Sequence, residues 1–403
     1  MIFKETLMKV VKSQREDLDL SEQNIEREAL KKIEIKIPFV IVLSGIRRCG
    51  KSTLLKQLMK RAKDFHYFNF EDTRVVDFEV EDFQKLDEIF LQEYGNKEYY
   101  FFDEIQNVKK WELFVRAILD KKKHVIITGS NASLLSKELG TRLTGRHLRF
   151  ELFPFSYNEF LLLYNMKSNI NSFEEYFKNG GFPEYLKLKK TEILQELLND
   201  ILNRDIAIRH KIRSLKPLRE MALYLLTNVG KEFSYNNLKK IFNLGSINSA
   251  ISFVSYFEDS YLLFTIPKFN YSLKKQLVSP KKIYSIDNGL TNVNSSSFSE
   301  DKGKMLENMV FISLRKKYKD IFYFQEKGEC DFIIKEGVKI SKAIQVCFDL
   351  DIDNKDREIN GLIEALEKFD LKEGIILTYK QEDEFKIKDK VIKVLPVWKW
   401  LLE

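Results

Sequence analysis

Residues 40–53 constrain the fold of this chain more than any other stretch, because an apolar run leads directly into a glycine-rich loop. The loop has the spacing Gly45-x-x-x-x-Gly50-Lys51-Ser52, and a helical pattern follows it. Glycines let the backbone turn tightly and bring its N–H groups against phosphate oxygens, while the start of the helix adds partial positive charge. In this pattern, a P-loop, Lys51 reaches the β- and γ-phosphates of a nucleotide and the Ser52 hydroxyl binds Mg²⁺. The alternative is a chance match on a surface loop, which is disfavoured because strand, loop and helix fall in register. The predicted nucleotide-binding residues are Gly45, Arg48, Cys49, Gly50, Lys51, Ser52 and Thr53.

An apolar strand that ends in two acidic residues, at 98–104, is the second predicted element of the site. Asp103 is predicted to hold Mg²⁺ together with Ser52, and Glu104 to orient and deprotonate an attacking water. The alternative is an ordinary strand end at which Asp103 caps a helix. The distance of about fifty residues from the P-loop favours a metal-binding role. Four strands that alternate with helices predict a parallel α/β sheet with phosphates at the strand ends.

These motifs, with others further along, resemble a family of prokaryotic, archaeal-type AAA-family P-loop ATPases. The matching stretches are residues 45–53, 102–108, 128–131, 143–146, 153–156, 180–184, 204–206, 282–290 and 396–400, with Glu307, Asn308 and Glu358. In that family the ATPase half is joined to a C-terminal half of unknown function. The resemblance implies ATP rather than GTP as the nucleotide, with Mg²⁺, and a homo-oligomer that is usually a ring.

The resemblance also implies roles for polar residues that follow the strand at 124–128. Asn131 is expected to sense the γ-phosphate, with Ser130 as a second candidate, and capping of the next helix is the alternative for either residue. Arg142 and Arg146 are candidates for stabilising transition-state charge in a neighbouring subunit's site. An ordinary surface position is the alternative for each arginine.

We predict five segments along the chain. They are an N-terminal helical arm at 1–37, an AAA-type P-loop core at 38–154, a helical lid at 155–216, a winged helix-turn-helix at 217–290 and a restriction-endonuclease-like α/β domain at 305–403, with an exposed linker at 291–304.

The predicted winged helix supplies candidate DNA contacts. Its recognition helix would present Asn248, Ser249 and Ser252, and a basic hairpin follows that suits phosphate contacts. The lysines of this hairpin are Lys268, Lys274, Lys275, Lys281 and Lys282. Because the recognition helix carries no Arg or Lys, a winged helix used only for protein packing is the alternative.

The last domain carries an incomplete nuclease pattern. Glu307, Asp331 and Gln345 stand where a restriction-endonuclease-like core places its metal ligands, but Gln345 is neutral and Cys347 replaces the lysine that helps to activate water. We therefore expect a nuclease-like fold without efficient cleavage, used for binding DNA or a partner. The alternative is a relaxed site that recruits its missing carboxylate from Asp349 or Asp351.

The composition permits these assignments and excludes others. Lys and Arg outnumber Asp and Glu by 67 to 60, which allows nucleic-acid binding without requiring it. No apolar run approaches the roughly 20 residues of a membrane span, and three widely spaced cysteines give no disulfide framework. We expect a cytoplasmic protein without membrane contact.

The leading hypothesis is an ATP hydrolase coupled to DNA binding, acting as a translocase or a remodeller of branched DNA. A regulatory or defence-type ATP switch that acts on protein partners is the alternative. ATP turnover that rises with DNA, and DNA binding that weakens with salt, would favour the first hypothesis.

Overall fold

In a computed structural model of the protein, residues 1–18, 20, 24–130, 145–295 and 301–403 are described, and they form two units, Met1–Phe153 and Pro154–Glu403. The boundary lies beside residue 154, where the P-loop core is predicted to end. Among the described residues, no helix combines the length and the apolar character needed to cross a bilayer.

The first unit is built on five parallel strands. They are β1 (Val40–Gly45), β2 (Phe65–Asn69), β3 (Tyr99–Asp103), β4 (His124–Gly129) and β5 (His147–Leu152). Their order in the sheet is β2-β3-β4-β1-β5, which confirms the predicted parallel α/β class. β1 is buried along its whole length, as expected of an apolar run inside a parallel sheet that has both faces covered.

The edge strand β5 was not among the four predicted strands. Its polar residues at 147, 149 and 151 alternate with apolar residues at 148, 150 and 152, and most of them are only half-buried. This alternation is typical of a strand with one face toward solvent. Because polar residues occupy half of its positions, this strand lacks the apolar run by which the other four strands are predicted.

Helices and short turns complete the first unit. They are α1 (Lys4–Glu16), α2 (Lys51–Ala62), α3 (Asp82–Tyr94) and α4 (Trp111–Asp120), with 3₁₀ turns at Glu28–Lys32, Thr73–Val75 and Ile105–Asn107. Apolar side chains of α1, α3 and α4 share one core with β2 and β3, around Phe68, Phe83 and Trp111. Among the described residues of the arm predicted at 1–37, Lys4–Glu16 and Glu28–Lys32 are helical, and α1 packs into the core of this unit.

The second unit begins with the segment predicted as a lid, which is helical as expected. Its helices are α5 (Tyr157–Tyr164), α6 (Ile170–Asn179), α7 (Pro183–Leu188) and α8 (Glu192–Asp200), followed by a π-helix at Ile201–Ile208. Ser156 and Glu159 form a capping box at the start of α5, which fixes the entry of the chain into this segment.

The segment predicted as a winged helix combines helices with a small antiparallel sheet. Its elements are α9 (Leu215–Thr227), β6 (Glu232–Phe233), α10 (Tyr235–Ile241), α11 (Ile247–Asp259), β7 (Leu263–Pro267), α12 (Leu273–Val278) and β8 (Lys281–Ser285). The three strands lie in the order β6-β8-β7. The connection predicted as a basic hairpin thus contains a short helix, α12.

The rest of the second unit is a six-stranded mixed sheet with its helices. The elements are α13 (Asn288–Asn294), α14 (Lys302–Lys317), β9 (Asp320–Gln325), β10 (Glu329–Glu336), β11 (Lys339–Val346), α15 (Lys355–Lys368), β12 (Glu373–Thr378), β13 (Asp383–Ile387), β14 (Lys390–Pro396) and α16 (Val397–Trp400). The strand order is β13-β14-β12-β11-β10-β9.

The prediction of an exposed linker at 291–304 is wrong at both ends of that range, because each end lies in a helix. Its first residues belong to α13, where Thr291 is buried and its hydroxyl donates to the Asp287 carbonyl at 3.0 Å. The Asp287 side chain caps this helix by accepting the Leu290 N–H at 2.9 Å. At the other end α14 has begun by Lys302. A run of Asn and Ser predicts an exposed loop only when their polar groups lack such partners.

Candidate nucleotide-binding site

The P-loop connects β1 to α2, as the sequence predicts. Gly50 has a φ of +97° immediately before the helix, a left-handed conformation that favours glycine. A Cβ atom on Gly45 would lie 2.2 Å from the Leu152 carbonyl oxygen, so no larger residue fits there. The bare backbone of both glycines leaves the loop amides room to approach phosphate oxygens.

The Lys51 ammonium lies inside this loop. It donates to the carbonyl oxygens of Ile46 at 3.2 Å and Gly45 at 3.3 Å, and its side chain is 5% exposed. It also lies 3.6 Å from the Glu104 carboxylate. Two charged residues predicted from separate motifs therefore meet at the ends of neighbouring elements.

Asp103 is buried at the end of β3 and accepts a hydrogen bond from the Thr128 hydroxyl. The Ser52 side chain also hydrogen-bonds to this carboxylate. Burial, with the neighbouring charge of Glu104, raises the pKa of Asp103 to about 6, although both hydrogen bonds lower it. The two residues predicted to hold Mg²⁺ are thus in direct contact.

Thr128 is a site residue that the sequence analysis did not propose. Besides donating to Asp103, its hydroxyl oxygen accepts the backbone N–H of Glu104 at 2.8 Å. Glu104 has a left-handed backbone with φ +51°, and Gln106 donates to its carboxylate. One threonine at the end of β4 therefore positions both acidic residues. One feature of the sequence could have identified Thr128, namely its position near the end of the apolar strand β4, which pairs with β3.

Arg27, in the N-terminal arm, was also missed. Its guanidinium donates to the Cys49 carbonyl oxygen in the P-loop at 2.6 Å and to the Phe153 carbonyl oxygen at 2.7 Å, and the residue is only 2% exposed. Burial raises the pKa of the Cys49 thiol, and the group of this residue that Arg27 contacts is its backbone carbonyl. Sequence spacing gives no signal for Arg27, because its second partner lies 126 positions away.

Of the remaining residues predicted for catalysis, the structure describes Ser130 and Arg146. Asn131 and Arg142 lie outside the described residues. Arg146 is about half exposed and forms an ion pair with Asp120 at 3.0 Å. The Ser130 residue is buried at the end of β4.

The donor set fits Mg²⁺ and a nucleoside triphosphate. Mg²⁺ prefers oxygen ligands and usually takes one or two from the protein, with the rest from water and phosphates. Ser52 and Asp103 offer such oxygens beside each other. The buried Lys51 ammonium and the glycine-bounded loop suit the phosphate charge.

The predicted DNA-contacting residues lie on separate elements of the second unit. On α11, Asn248 is exposed and Ser249 and Ser252 are half-buried. On α12, Lys274 and Lys275 are exposed. These two lysines are available to a polyanion.

Two other lysines of the predicted hairpin are engaged within the protein. Lys268 is half-buried and donates to the Gln325 side chain at 3.0 Å. Lys282 is 2% exposed, so its predicted contact with DNA phosphates is wrong. It is on the same strand as Lys281, but its side chain enters the interior.

The predicted nuclease residues do come together in the second unit. The Gln345 side chain accepts the Asp331 N–H at 3.0 Å, and both Glu307 and Asp331 ion-pair with Lys282. An ammonium group is therefore present, although Cys347 occupies the motif position where a lysine is expected. Lys282 is another residue whose role the sequence analysis missed.

The pKa values of the two carboxylates are shifted in opposite directions. Burial and the neighbouring charge of Asp331 raise the pKa of Glu307. Burial alone would also raise the pKa of Asp331, but the ammonium groups of Lys282 and Lys304 hold it below its ordinary value. Asp331 thus carries the negative charge that pairs with Lys282.

Comparison with known proteins places two domains on the chain. Residues 38–161 match a family described as an AAA domain, and residues 170–301 match a domain of unknown function, DUF8612. The uncharacterized protein MJ1544 of Methanocaldococcus jannaschii is 38% identical over 407 residues, covering 92% of this chain and 90% of the relative. An uncharacterized protein of Haemophilus influenzae is 31% identical, and the match covers 91% of this chain and 94% of that relative.

Among solved structures, AMPPCP-bound DnaA from Aquifex aeolicus has a TM-score of 0.29 and 16% identity. The match covers 62% of this chain and 86% of the DnaA chain.

Proposed function

Because this chain belongs to the family of MJ1544 and carries an AAA domain, we propose that it binds Mg²⁺ and ATP and hydrolyses the nucleotide. The observation that carries the proposal is the meeting of Lys51, Asp103 and Glu104 at the carboxyl ends of parallel strands. Ligands of open α/β sheets bind at that edge.

Each of these residues has a separate task. Lys51 faces the β- and γ-phosphates and offsets their charge, while Ser52 and Asp103 hold the metal ion. When bound, Mg²⁺ would neutralise charge that develops on the phosphates. Glu104 takes the proton of the attacking water, and Thr128 fixes the backbone of Glu104 and the carboxylate of Asp103.

Two variants separate binding from chemistry. Lys51→Ala should weaken ATP binding by about 100-fold, because it removes charge-assisted hydrogen bonds to phosphate. Glu104→Gln should retain ATP binding and lose about 10²- to 10⁴-fold in turnover, because only the general base is removed. Glu98→Gln is the matched control. Glu98 is exposed immediately before β3, the strand that ends at Asp103, so this variant should keep the parental rate. Parental turnover in Glu104→Gln would remove Glu104 from this role.

We further propose that the active form is a homo-oligomeric ring in which an arginine acts on the neighbouring subunit's site. Arg142 and Arg146 are the candidates. A mixture of Lys51→Ala and Arg146→Ala proteins should recover part of the activity through hybrid interfaces. Both groups are intact wherever an Arg146→Ala subunit supplies the nucleotide site and a neighbouring Lys51→Ala subunit supplies the arginine. Full activity of a dilute monomer would contradict this proposal. In the same assembly, the helical segment 155–216 is proposed to act as a lid over the nucleotide.

We propose that ATP hydrolysis is coupled to DNA binding through the segment 217–290. The element order α9-β6-α10-α11-β7-α12-β8, with an antiparallel three-stranded sheet, supports a winged helix there. Lys274 and Lys275 lie exposed between β7 and β8 and would contact the phosphate backbone. A translocase or a remodeller of branched DNA is the activity that joins such binding to ATP turnover.

Charge removal tests the DNA proposal. The double variant Lys274→Gln and Lys275→Gln should weaken binding similarly for all DNA sequences and reduce the slope of log K against log salt by about two. A control that removes two exposed lysines elsewhere, Lys386→Gln and Lys388→Gln, should bind as the parent does. Equal binding by both double variants would exclude α12 as the DNA contact.

A regulatory ATP switch that acts on a protein partner is the second candidate. It is favoured by the apolar side chains on the same exposed helix, since Leu273, Leu277 and Val278 are 65–77% exposed. Apolar side chains gain little from contact with the DNA phosphate backbone, whereas protein interfaces bury them. ATP turnover that ignores duplex, single-stranded and junction DNA would favour this candidate.

We also propose that the C-terminal sheet has a nuclease-like fold without efficient cleavage. The neutral Gln345 and the Cys347 position support this view. Supercoiled, linear and branched DNA should survive incubation with the protein in Mg²⁺ or Mn²⁺. Cleavage that disappears in Asp331→Ala would overturn the proposal.

A further inference from the structure

Lys282 lies at the centre of a buried acidic cluster in the second unit. Its ammonium nitrogen is 2.6 Å from Glu329, 2.8 Å from Asp331 and 3.0 Å from Glu307, measured to one carboxylate oxygen of each. Lys282 is on β8 of the three-stranded sheet, whereas its partners are on α14 and β10. The side chains of Lys282, Glu307 and Asp331 are at most 5% exposed. The cluster therefore joins two sheets, with Glu329 at its exposed edge.

The oxygens of the two most buried carboxylates already have donors. Glu307 accepts from the Tyr284 hydroxyl at 2.6 Å on the oxygen that faces Lys282, and from the Lys304 ammonium at 2.7 Å on the other. The second oxygen of Asp331 accepts the Val346 N–H at 3.0 Å. A further cation would have to displace one of these donors.

The geometry is that of charge-assisted hydrogen bonds around a cation. Mg²⁺ draws carboxylate oxygens to about 2.0–2.1 Å, whereas these oxygens converge on a nitrogen at N⁺–H···O⁻ distances. Within the described residues, no group of three or more His, Cys, Asp or Glu side chains is arranged to hold a metal ion. Glu307 and Asp331 are also the two carboxylates at which a nuclease-like core would bind its metal.

We propose that the Lys282 ammonium is the resident cation of this acidic cluster, taking the place of a divalent metal and fixing β8 to the C-terminal sheet. This goes beyond the absence of cleavage, because it identifies the group that occupies the position of the metal. It does not depend on ATP hydrolysis, since all of its residues lie in the second unit.

Metal binding tests the proposal directly. Titration of the nucleotide-free protein with Mn²⁺, followed by electron paramagnetic resonance, should reveal no bound ion that depends on Asp331 or Glu329. Glu329 is 39% exposed, so Glu329→Gln should fold and is the safer variant for this comparison. Bound Mn²⁺ that is lost in Glu329→Gln or Asp331→Asn would overturn the proposal.

Removal of the ammonium should create a need for a cation. Lys282→Ala should lower the melting temperature by about 10 °C, because it leaves buried carboxylates without their counter-charge. Mn²⁺ in about 100-fold excess over its Kd should then recover about 5 °C or more, because only the folded form binds it. The parent and the double variant Lys282→Ala with Asp331→Asn should gain no such stability. Lys281→Ala, which removes a neighbouring lysine from the same strand, is the control and should melt close to the parent.

Each outcome of the melting experiments either supports or contradicts the role of Lys282. A Lys282→Ala protein that melts as the parent does, or that gains nothing from Mn²⁺, contradicts the proposal. If this variant does not fold alone, recovery of the folded circular-dichroism signal on adding Mn²⁺ supports the proposal, and failure to recover overturns it.

Discussion

Replacement of Arg27 tests whether the N-terminal arm sets the shape of the P-loop. In Arg27→Met the side chain keeps much of its apolar length and loses every donor. The variant therefore loses the 2.6 Å hydrogen bond to the Cys49 carbonyl and the 2.7 Å hydrogen bond to the Phe153 carbonyl. Both carbonyls are in a buried region, where an unmade hydrogen bond is costly.

The magnitude follows from the two contacts. A hydrogen bond from a charged donor contributes about 1.5–3 kcal/mol. Of these two bonds, the one to Cys49 holds the phosphate-binding loop, so about half of their combined loss acts on the loop conformation that accepts nucleotide. A shift of about 1.5–3 kcal/mol in that equilibrium weakens the apparent affinity for ATP by roughly 10- to 100-fold. The bond to Phe153 should appear in overall stability instead.

The assay is calorimetric titration with ATP and Mg²⁺ in a Glu104→Gln background, so that turnover does not interfere. Arg61→Met is the matched control, because Arg61 anchors the same arm by donating to the Leu30 carbonyl at 2.7 Å, outside the P-loop. It should lower stability and leave the Kd nearly unchanged. A folded Arg27→Met protein that binds ATP within about twofold of the parent would refute the reasoning. So would an equal loss of affinity in Arg61→Met.

Three further predictions concern the same site. Thr128→Val should lower kcat by about 10- to 100-fold with a small change in nucleotide Kd, because it releases Asp103 and Glu104; Thr128→Ser should retain activity, and equal rates in both variants would contradict the role. Since the pKa of Asp103 is raised to about 6, its carboxylate is protonated as pH falls through that value. Mg²⁺ affinity, measured from pH 5 to 8, should then drop about tenfold per pH unit below about pH 6 and stay level above pH 7, whereas a flat profile would argue against Asp103 as ligand. Gly45→Ala should lower the melting temperature by about 5 °C or more, because its Cβ would press on the Leu152 carbonyl; unchanged melting would mean that the loop adapts freely.

Local patterns in the sequence were sufficient for the centre of the site. The apolar run before Gly45 predicts a buried strand, and the glycine spacing predicts the loop, because both depend on neighbouring residues only. The apolar run of β3 likewise predicts a buried strand, and the acidic residues at its end predict a metal ligand and a general base. A parallel sheet then brings Lys51 and Glu104 together without further information, since the carboxyl ends of its strands share one edge.

Residues that support this centre from a distance were beyond such reasoning. Arg27 contacts the loop across 22 positions and Phe153 across 126, and no periodicity connects them. Thr128 acts 24 positions from Glu104, through the pairing of β3 and β4. A list of candidates at strand ends could have included Thr128, whereas Arg27 required the folded chain.

Lys282 shows how charge balance adds information that motifs lack. Its neighbours in sequence are other lysines of a presumed wing, so the local pattern indicated a phosphate contact. The nuclease pattern, in turn, lacked its lysine at Cys347, which indicated a site without a positive charge. Yet Glu307 and Asp331 belong to apolar stretches that must be buried, and a buried carboxylate without a partner costs several kcal/mol. A buried acidic cluster therefore requires a cation, and in the folded chain the ammonium of Lys282 supplies it, 25 positions from Glu307 and 49 from Asp331.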